Sequence, residues 1–491
     1  MSRQPVTRAE LSSWRAKLFY GFGSIAYGIK DFGFGTLLLF YYNQVIGLPA
    51  AEVSLAILVV LWVDAFADPT VGQISDNLRT RWGRRHPFMY ASAIPVAIAY
   101  YFLWTPPHGL SHGALIVYLI VMAILVRTFI TMYEIPSSAM VPEMTDDYDQ
   151  RTTFISLRYV FGVAGAVLIN AATFAFLLRG SAAHPDGRLN PAGYPVFAAV
   201  SAAVMLVSIL VSARGTHRYI PMFSAPQERR ASVGTLIREM LATLMNRQFL
   251  ILLTAAIFGT MAIGLGAALL IYVNTYFWAF TTKQLAIIAF AGVPAVIVPP
   301  FLAWPLSRMM GKKPAAIVFY GLCVTLAVLP ISLRLLGFFP PNGTPLLFWL
   351  VFGERALSTT FGIGCLILFG SMTADIVEDS AVRTGRRSEG LFFSAVAFIN
   401  KLLSGAGTFL AGLLLAAANF PEHANPATLD PAVPTRLIEL YLPAMIFFYG
   451  IGMLVLSRYR IDRAAHEENI RLLSETEAQA AVALVAAPPA Q

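Results

Sequence analysis

The chain has 491 residues, of which 57% are hydrophobic and 13% are charged, and its mean hydropathy is +0.66. This composition excludes a string of soluble domains and is typical of a protein that crosses a membrane many times. The net charge of +8 would indicate a nucleic-acid partner in a soluble protein. Here most Lys and Arg residues fall in the two tails and in every second loop, which lie on the same side of the predicted spans. An excess of basic residues marks the cytoplasmic side, so we predict cytoplasmic termini and no nucleic-acid partner.

Windows of about 20 apolar residues predict twelve membrane-spanning helices. Their approximate limits are 20–46, 52–75, 88–105, 114–139, 154–178, 194–213, 248–273, 284–306, 314–335, 345–371, 390–417 and 437–457. The basic connection 214–247 joins two six-helix halves, 1–213 and 248–458, and a cytoplasmic tail follows at 459–491. We therefore predict an all-α membrane protein.

The two halves show weak parallel self-similarity. The turn Arg81-Trp-Gly-Arg-Arg-His-Pro87 after span two is echoed by Arg308-Met-Met-Gly-Lys-Lys-Pro314 after span eight. Arg158 in span five is similarly echoed by Lys401 in span eleven. Duplicated transporters place the substrate site where their repeats meet, so the duplication predicts a site between the halves.

Five acidic and five basic residues lie inside the predicted spans, where hydrocarbon makes an isolated charge costly. They are Asp31, Asp64, Asp68, Glu134, Glu354, Lys30, Arg127, Arg158, Arg355 and Lys401. The balance indicates a paired network around a watery cavity. For Arg127, Glu354 and Arg355, the alternative is that they only hold helices together.

Asp64 and Asp68 are four residues apart, so both carboxylates share one face of span two. Two carboxylates at this spacing bind a small cation, or share a proton because they resist ionising together. Pro69 removes a backbone donor and can free carbonyl oxygens there. The alternative is that Asp64 forms a structural salt bridge with Arg158 or Lys401.

Polar residues on spans one, four and five predict a binding site beside these carboxylates. Arg127, Thr131 and Glu134 share one face of span four, and Lys30-Asp31 lies among small residues of span one. A carboxylate opposite Arg158, with aromatic rings nearby, suits a polyhydroxylated ligand. An amine or a carboxylate substrate fits these groups equally well.

Charges at the ends of the spans suggest gates. Asp76, Arg81, Arg84 and Arg85 follow span two, and Asp375 follows the corresponding part of span ten. We interpret them as latches that hold helix ends together in one conformation. A solvated charge run is the competing explanation.

No pattern points to an enzyme. The chain has no P-loop, no Ser-His-Asp order and no zinc-ligand spacing, and we expect no cofactor. Cys323 and Cys365 both fall inside predicted spans, where they are expected to fill the core.

Several motifs coincide in order with those of one family. They are Tyr20-Gly-Phe-Gly, Lys30-Asp-Phe, Asp64-Ala-Phe-Ala-Asp-Pro, Glu134-Ile-Pro, Met140-Val-Pro, Ala374-Asp375 and Lys401. The chain thereby resembles the glycoside-pentoside-hexuronide cation symporters of the major facilitator superfamily. The resemblance covers most of the membrane domain and implies the twelve-helix major facilitator fold.

The resemblance also implies roles for the charged residues. Asp64, Asp68 and Thr131 would form the cation site, Asp31, Glu134 and Arg158 would grip sugar hydroxyls, and Lys401 would lie between the two sites. We add Lys30 and Arg127 to the substrate-binding set because of their positions in the spans.

Three departures limit what the family implies. Ala67 stands where the sodium-using melibiose permease has an amide, which favours H⁺ over Na⁺ at Asp64 and Asp68. Ser138 stands in place of a sugar-stacking Trp, and Glu134 in place of an Asp. Galactoside specificity therefore does not carry over.

The resulting hypothesis is a secondary active transporter in the cell (inner) membrane, acting as a monomer. It would import a sugar or glycoside into the cytoplasm together with a cation, H⁺ in the first place and Na⁺ in the second. The alternatives are a lipid or drug carrier of the same fold and a membrane sensor that binds its ligand without transport.

Overall fold

The computed structural model describes residues 13–145, 147–223, 234, 246–384, 389–461, 468, 471–472 and 475. Most of the predicted linker 214–247, with its suggested interfacial helix at 233–245, lies outside this part of the chain, as does most of the predicted tail. Every regular element in the described ranges is helical. The domain boundaries stay a prediction.

The described residues of the first half of the chain contain nine α-helices. They are α1 (Trp14–Phe22), α2 (Ile25–Phe32), α3 (Leu38–Phe40), α4 (Ala50–Asn77), α5 (His86–Leu103), α6 (His112–Ser138), α7 (Val141–Met144), α8 (Tyr148–Ala172) and α9 (Gly193–His217). Side-chain caps mark several starts: Ser111 begins α6 and Asp147 begins α8 by accepting a backbone N–H of the first turn.

The second half contains seven further α-helices within the described residues. They are α10 (Arg247–Tyr272), α11 (Thr282–Ile288), α12 (Pro294–Met310), α13 (Lys312–Leu335), α14 (Pro345–Thr384), α15 (Glu389–Ala417) and α16 (Ala432–Leu456). Asn246 caps α10, and Gly311, with φ +90°, provides the sharp turn between α12 and α13.

All twelve predicted spans fall on helices, and ten of them are on helices long and apolar enough to cross a bilayer within the described residues. The first predicted span is instead a broken run over α1, α2 and α3, interrupted at Gly23-Ser24 and by π-helical turns at Gly33–Leu37 and Tyr41–Val45. The third is α5, whose 18 residues start at a histidine and include two prolines, which lowers its hydropathy.

The two halves pack together along two main seams. Helix α4 of the first half lies along α15 of the second, and α10 contacts the π-helical turn Gly33–Leu37. Small residues allow close approach: a Cβ at Gly412 of α15 would lie 2.5 Å from the carbonyl oxygen of Ala50 on α4. This packing brings the charged faces of α4, α6 and α15 together near the middle of the bundle.

The bundle has two ends, which we call the terminal end, where α1 starts and α16 ends, and the distal end opposite it. At the distal end, neutral hydrogen bonds join the halves. Tyr272 Oη donates to Asn43 Oδ1 at 2.8 Å, and Gln44 Oε1 accepts from Tyr276 Oη at 3.1 Å and from the Ala424 N–H at 2.9 Å. We call these five residues the distal closure.

Candidate ion and substrate site

Asp64 and Asp68 lie one turn apart on α4, and the helix continues without interruption through Pro69. Both carboxylates meet Thr131 of α6, whose hydroxyl lies 3.2 Å from Asp64 Oδ1 and 3.0 Å from Asp68 Oδ1. One hydroxyl proton serves only one of these acceptors at a time. Helices α4 and α6 thus hold four carboxylate oxygens and one hydroxyl in a single group.

Two cations complete this group. Lys401 Nζ of α15 lies 2.8 Å from Asp64 Oδ2 and 2.5 Å from Asp68 Oδ2. Arg127 Nη2 of α6 lies 2.7 Å from Asp64 Oδ2. We call these five residues the ion cluster. Lys401 is the residue of the ion cluster that belongs to the second half of the chain.

The ion cluster is electrically balanced but unevenly buried. Two carboxylates face two cations, which is the condition under which ionised groups are retained away from water. The Asp64 side chain is 2% exposed, whereas those of Asp68 and Lys401 are 21% and 30% exposed. An ion entering from the aqueous side would therefore reach Asp68 and Lys401 before Asp64.

A second polar group lies one helical turn further along α6. Arg158 Nη2 of α8 is 3.7 Å from Glu134 Oε1 and donates to the Glu134 backbone carbonyl at 3.3 Å. Arg158 Nη1 also donates to Tyr20 Oη at 3.4 Å, and its guanidinium lies 5.8 Å from the centre of the Tyr27 ring. We call Glu134, Arg158, Tyr20 and Tyr27 the substrate cluster.

The close packing of α2 against α8 holds the substrate cluster in place. A Cβ at Gly28 would lie 2.0 Å from the carbonyl oxygen of Gly162, and one at Gly162 would lie 2.2 Å from Tyr27 Oη. Glycine at these two positions is therefore required for Tyr27 to approach α8, where its hydroxyl donates to the Arg158 carbonyl at 3.3 Å.

The other predicted substrate-binding residues lie in two places. Lys30 is buried and pairs with Asp31 at 2.7 Å, while the Asp31 side chain is 58% exposed. Arg127 belongs to the ion cluster through Asp64, and its guanidinium lies 5.3 Å from the centre of the Phe34 ring. Arg127 thus contacts a carboxylate of the ion cluster, whereas we predicted that it would bind the substrate.

The predicted gate residues form pairs within each half at the terminal end. Arg84 Nη2 lies 2.7 Å from Glu143 Oε1, and Arg85 bridges Glu143, at 3.3 Å, and Asp76, at 2.5 Å. In the second half, Lys312 Nζ lies 2.5 Å from Asp375 Oδ1. The first set joins α4 and α7 through the turn that precedes α5, and the second joins α13 and α14.

Arg81, the remaining predicted gate residue, is exposed and stacks over the Trp82 ring at 5.7 Å. Sequence reasoning missed Glu143, the acid that Arg84 and Arg85 share. It also missed the distal closure. One sequence feature could have predicted the distal closure, namely the two amide side chains at positions 43–44 inside an otherwise apolar segment. Hydrocarbon disfavours unpaired amides, so such side chains need hydrogen-bond partners.

Comparison with known proteins decides the family. The model of the family described as MFS/sugar transport protein matches residues 19–463. The chain belongs to this family. It is therefore a multi-pass membrane transporter and not an enzyme, and the resemblance inferred from its motifs is confirmed.

Relatives of this transporter match it over nearly its whole length. The isoprimeverose transporter of Lactiplantibacillus pentosus is 24% identical over 477 residues, which cover 93% of this chain and 91% of the relative. The sodium-dependent lysophosphatidylcholine symporter 1 of Gallus gallus is 23% identical over 500 residues, which cover 96% and 92%.

A solved structure supports the fold. The crystal structure of the nucleoside transporter NupG superposes with a TM-score of 0.57 over 91% of this chain and 98% of NupG, at 13% identity. At that identity the likeness concerns the fold alone. The predicted all-α, twelve-helix fold of the major facilitator type is thereby confirmed.

Proposed function

We propose that this transporter imports a sugar or glycoside together with a cation, H⁺ in the first place, by alternating access across the cell membrane. The observation that carries the proposal is the ion cluster, in which Lys401 of the second half contacts both carboxylates on α4 of the first. Any change in the charge of those carboxylates alters the attraction between the two halves.

Lys401 and a coupling ion compete for one position. Lys401 Nζ lies between Asp64 and Asp68, where a small cation would also find its carboxylate ligands. A proton bound to Asp68 would remove the charge that attracts Lys401, since a neutral carboxyl binds an ammonium more weakly than a carboxylate does. Ion binding would thus weaken the connection between α4 and α15, and ion release would restore it.

The substrate cluster supplies what a sugar needs. Glu134 and Arg158 are 3.7 Å apart, so their contact is loose enough for hydroxyl groups to bond to both. The partly exposed ring of Tyr27 offers apolar cover for C–H groups, whereas Tyr20 is 2% exposed and serves as a hydrogen-bond partner of Arg158. Glu134 lies three residues after Thr131 on α6, so displacement of this turn would affect both clusters.

The direction of transport rests on the charge of the loops. With cytoplasmic termini, the distal closure would seal the outer side of the membrane, and both clusters would be reached from the cytoplasm. This orientation follows the excess of Lys and Arg in the loops at the terminal end.

A second candidate substrate class is a lysophospholipid or a similar amphipathic molecule. The avian relative named as a lysophosphatidylcholine symporter covers the chain as fully as the isoprimeverose transporter does. The charged, ring-lined substrate cluster favours the sugar.

Uptake into proteoliposomes tests the proposal. Labelled isoprimeverose, xylose, methyl glucoside and lysophosphatidylcholine would be offered under an imposed pH gradient or an imposed Na⁺ gradient. We expect a sugar or glycoside to accumulate under the pH gradient. Accumulation of the lysolipid alone would favour the second candidate.

Asp68→Asn is the decisive variant, with Asp430→Asn as its matched control because Asp430 is an exposed acid far from both clusters. Asp68→Asn should abolish gradient-driven accumulation while the protein still inserts and folds. Undiminished active uptake by this variant would contradict the role that we assign to Asp68.

A further inference from the structure

A cavity in the second half lies apart from both clusters. Its volume is about 460 Å³, and it is bounded by α10, α13, α14 and α16. This volume lies in the range of sites that hold drug-sized ligands, roughly 300–1,000 Å³. We call it the C-half chamber.

Small residues on two facing helices open the chamber. Gly259 and Gly266 line it from α10, and Gly362 lines it from α14. The α14 wall runs from Glu354 to Phe369, a rise of roughly 22 Å at 1.5 Å per residue. The chamber is therefore long, and its shape suits an elongated ligand.

Most of the wall is apolar, but polar groups occur along it. Tyr320 is 6% exposed, and its hydroxyl has no hydrogen-bond partner among the described residues. This hydroxyl packs against Gly452 of α16, so Tyr320 contributes its ring to the wall and not its hydroxyl.

Glu354 and Arg355 lie further along the same wall, and neither forms an ion pair with the residues that the structure describes. Together they are neutral, with one acceptor and one donor group. They are suited to hydroxyl, carbonyl or amide groups, not to a ligand of high net charge.

The chamber has an opening. Ile263 of α10 and Leu366 of α14 both line it, and each is 51% exposed. Apolar side chains at the mouth favour entry by an apolar group. The remaining wall includes Trp278 and Tyr449, which add aromatic surface for such a group.

One wall residue connects the chamber to the ion cluster. Asn400 of α15 lines the chamber and accepts a hydrogen bond from Thr260 of α10 at 3.2 Å. It directly precedes Lys401, which contacts Asp64 and Asp68. A ligand in the chamber would thus press on the turn of α15 that carries Lys401.

We propose that the C-half chamber binds an elongated amphipathic ligand whose body is apolar and whose uncharged polar groups meet Glu354 and Arg355. The same chemistry is present in a glycoside with an aromatic or alkyl aglycone and in a free apolar alcohol from the bilayer. This binding site is separate from the substrate cluster, and its test requires no transport.

The cysteines of the chain provide the assay, because both of them, Cys323 and Cys365, line the chamber. In a Cys365→Ala variant held in nanodiscs, Cys323 is the sole thiol, and its reaction with N-ethylmaleimide is followed by mass spectrometry. We expect 4-nitrophenyl glucoside to slow the reaction about tenfold near saturation, as mass action requires, and glucose to leave it unchanged.

Comparison with 4-nitrophenol separates the two sources of ligand. Protection by the nitrophenyl glucoside alone identifies a glycoside, and protection by both probes identifies a free apolar ligand. The proposal is overturned if neither probe protects Cys323, if glucose protects it equally, or if N-ethylmaleimide never reaches this thiol.

A filling variant provides an independent measurement. A Cβ at Gly362 would lie 3.4 Å from Cys323 Sγ, so Gly362→Val narrows the chamber, whereas a Cβ at Gly370 on the same helix has no neighbour within 4 Å. The nitrophenyl glucoside should raise the Tm of the unaltered protein and of Gly370→Val, but not that of Gly362→Val. Equal stabilisation of all three proteins would show that the probe binds outside the C-half chamber.

Discussion

Among the contacts between the two halves of this transporter, the ion cluster and the distal closure differ in chemistry. In the ion cluster, Lys401 contacts two carboxylates, so the connection is charged. In the distal closure, amides and tyrosine hydroxyls make neutral hydrogen bonds, as between Tyr272 and Asn43. One connection consists of ion pairs, and the five residues of the other carry no formal charge.

This difference indicates that the two connections have different roles in the conformational change. A neutral hydrogen bond contributes about 0.5–1.5 kcal/mol net, so several can break together during a conformational change. Breaking a buried ion pair costs about 3–5 kcal/mol when one charge is left alone. Under the proposed mechanism, a bound ion would release the ion cluster, and the distal closure would open after that release. Three predictions test this comparison.

The largest expected effect follows from Arg127→Met. The variant removes one partner of Asp64, whose side chain is 2% exposed, and leaves Lys401 as its remaining cation. We expect the free energy of unfolding to fall by about 3 kcal/mol, at the lower end of the range for a broken buried pair. Denaturant unfolding of the purified protein would measure it.

The double variant Asp64→Asn with Arg127→Met is its control. Removing both charges should recover part of the lost stability, because no uncompensated carboxylate remains. A double variant less stable than Arg127→Met would show that the charge of Asp64 is not the source of the loss.

A smaller effect is expected for Gln44→Leu in the distal closure. Gln44 Oε1 accepts two hydrogen bonds, and its Nε2 donates to the carbonyl of Pro421 at 3.0 Å. Leaving the Ala424 N–H and the Pro421 carbonyl without these partners costs about 1–3 kcal/mol, which corresponds to a shift of about fivefold or more toward a distally open state. Tyr276 Oη can still donate to the Ala424 carbonyl at 2.9 Å. Spin labels at the exposed positions Ala183 and Asn425 would report a longer distance.

Tyr118→Phe is a matched control for the closure, because the Tyr118 hydroxyl donates to Phe102 within one half. It should leave the distance between the labels unchanged. If Gln44→Leu also left it unchanged, the distal closure would not hold the halves together.

The smallest effect is expected for Tyr272→Phe, which removes a single neutral hydrogen bond of 2.8 Å to Asn43. A loss of about 1 kcal/mol should shift the same population about fivefold. The same pair of labels measures it, and a shift larger than that of Gln44→Leu would reverse the order that we infer within the closure.

Local sequence was sufficient for much of the site. The turn-length spacing of Asp64 and Asp68, and of Thr131 and Glu134, predicts shared faces because the helical period is local. The length and hydropathy of the spans predicted the fold class, since a bilayer requires about 20 apolar residues for each crossing. The ten apolar spans and the two less regular ones agree with that prediction.

Contacts between residues that are distant in the chain could not be predicted from local sequence patterns. The prediction for Asp64 left Arg158 and Lys401 open, and the structure brings Lys401 to it and also Arg127. Glu143, which Arg84 and Arg85 share, lies in a short helix that no periodicity marked.

The sequence by itself determined the number of crossings, their helical character and the charges that each helix carries, because these depend on hydropathy and on a 3.6-residue repeat. Only the tertiary structure decided which charges meet. Lys401 reaches Asp68 across 333 positions of the chain. That contact depends on glycine-lined packing between α4 and α15, which brings their charged faces within bonding distance.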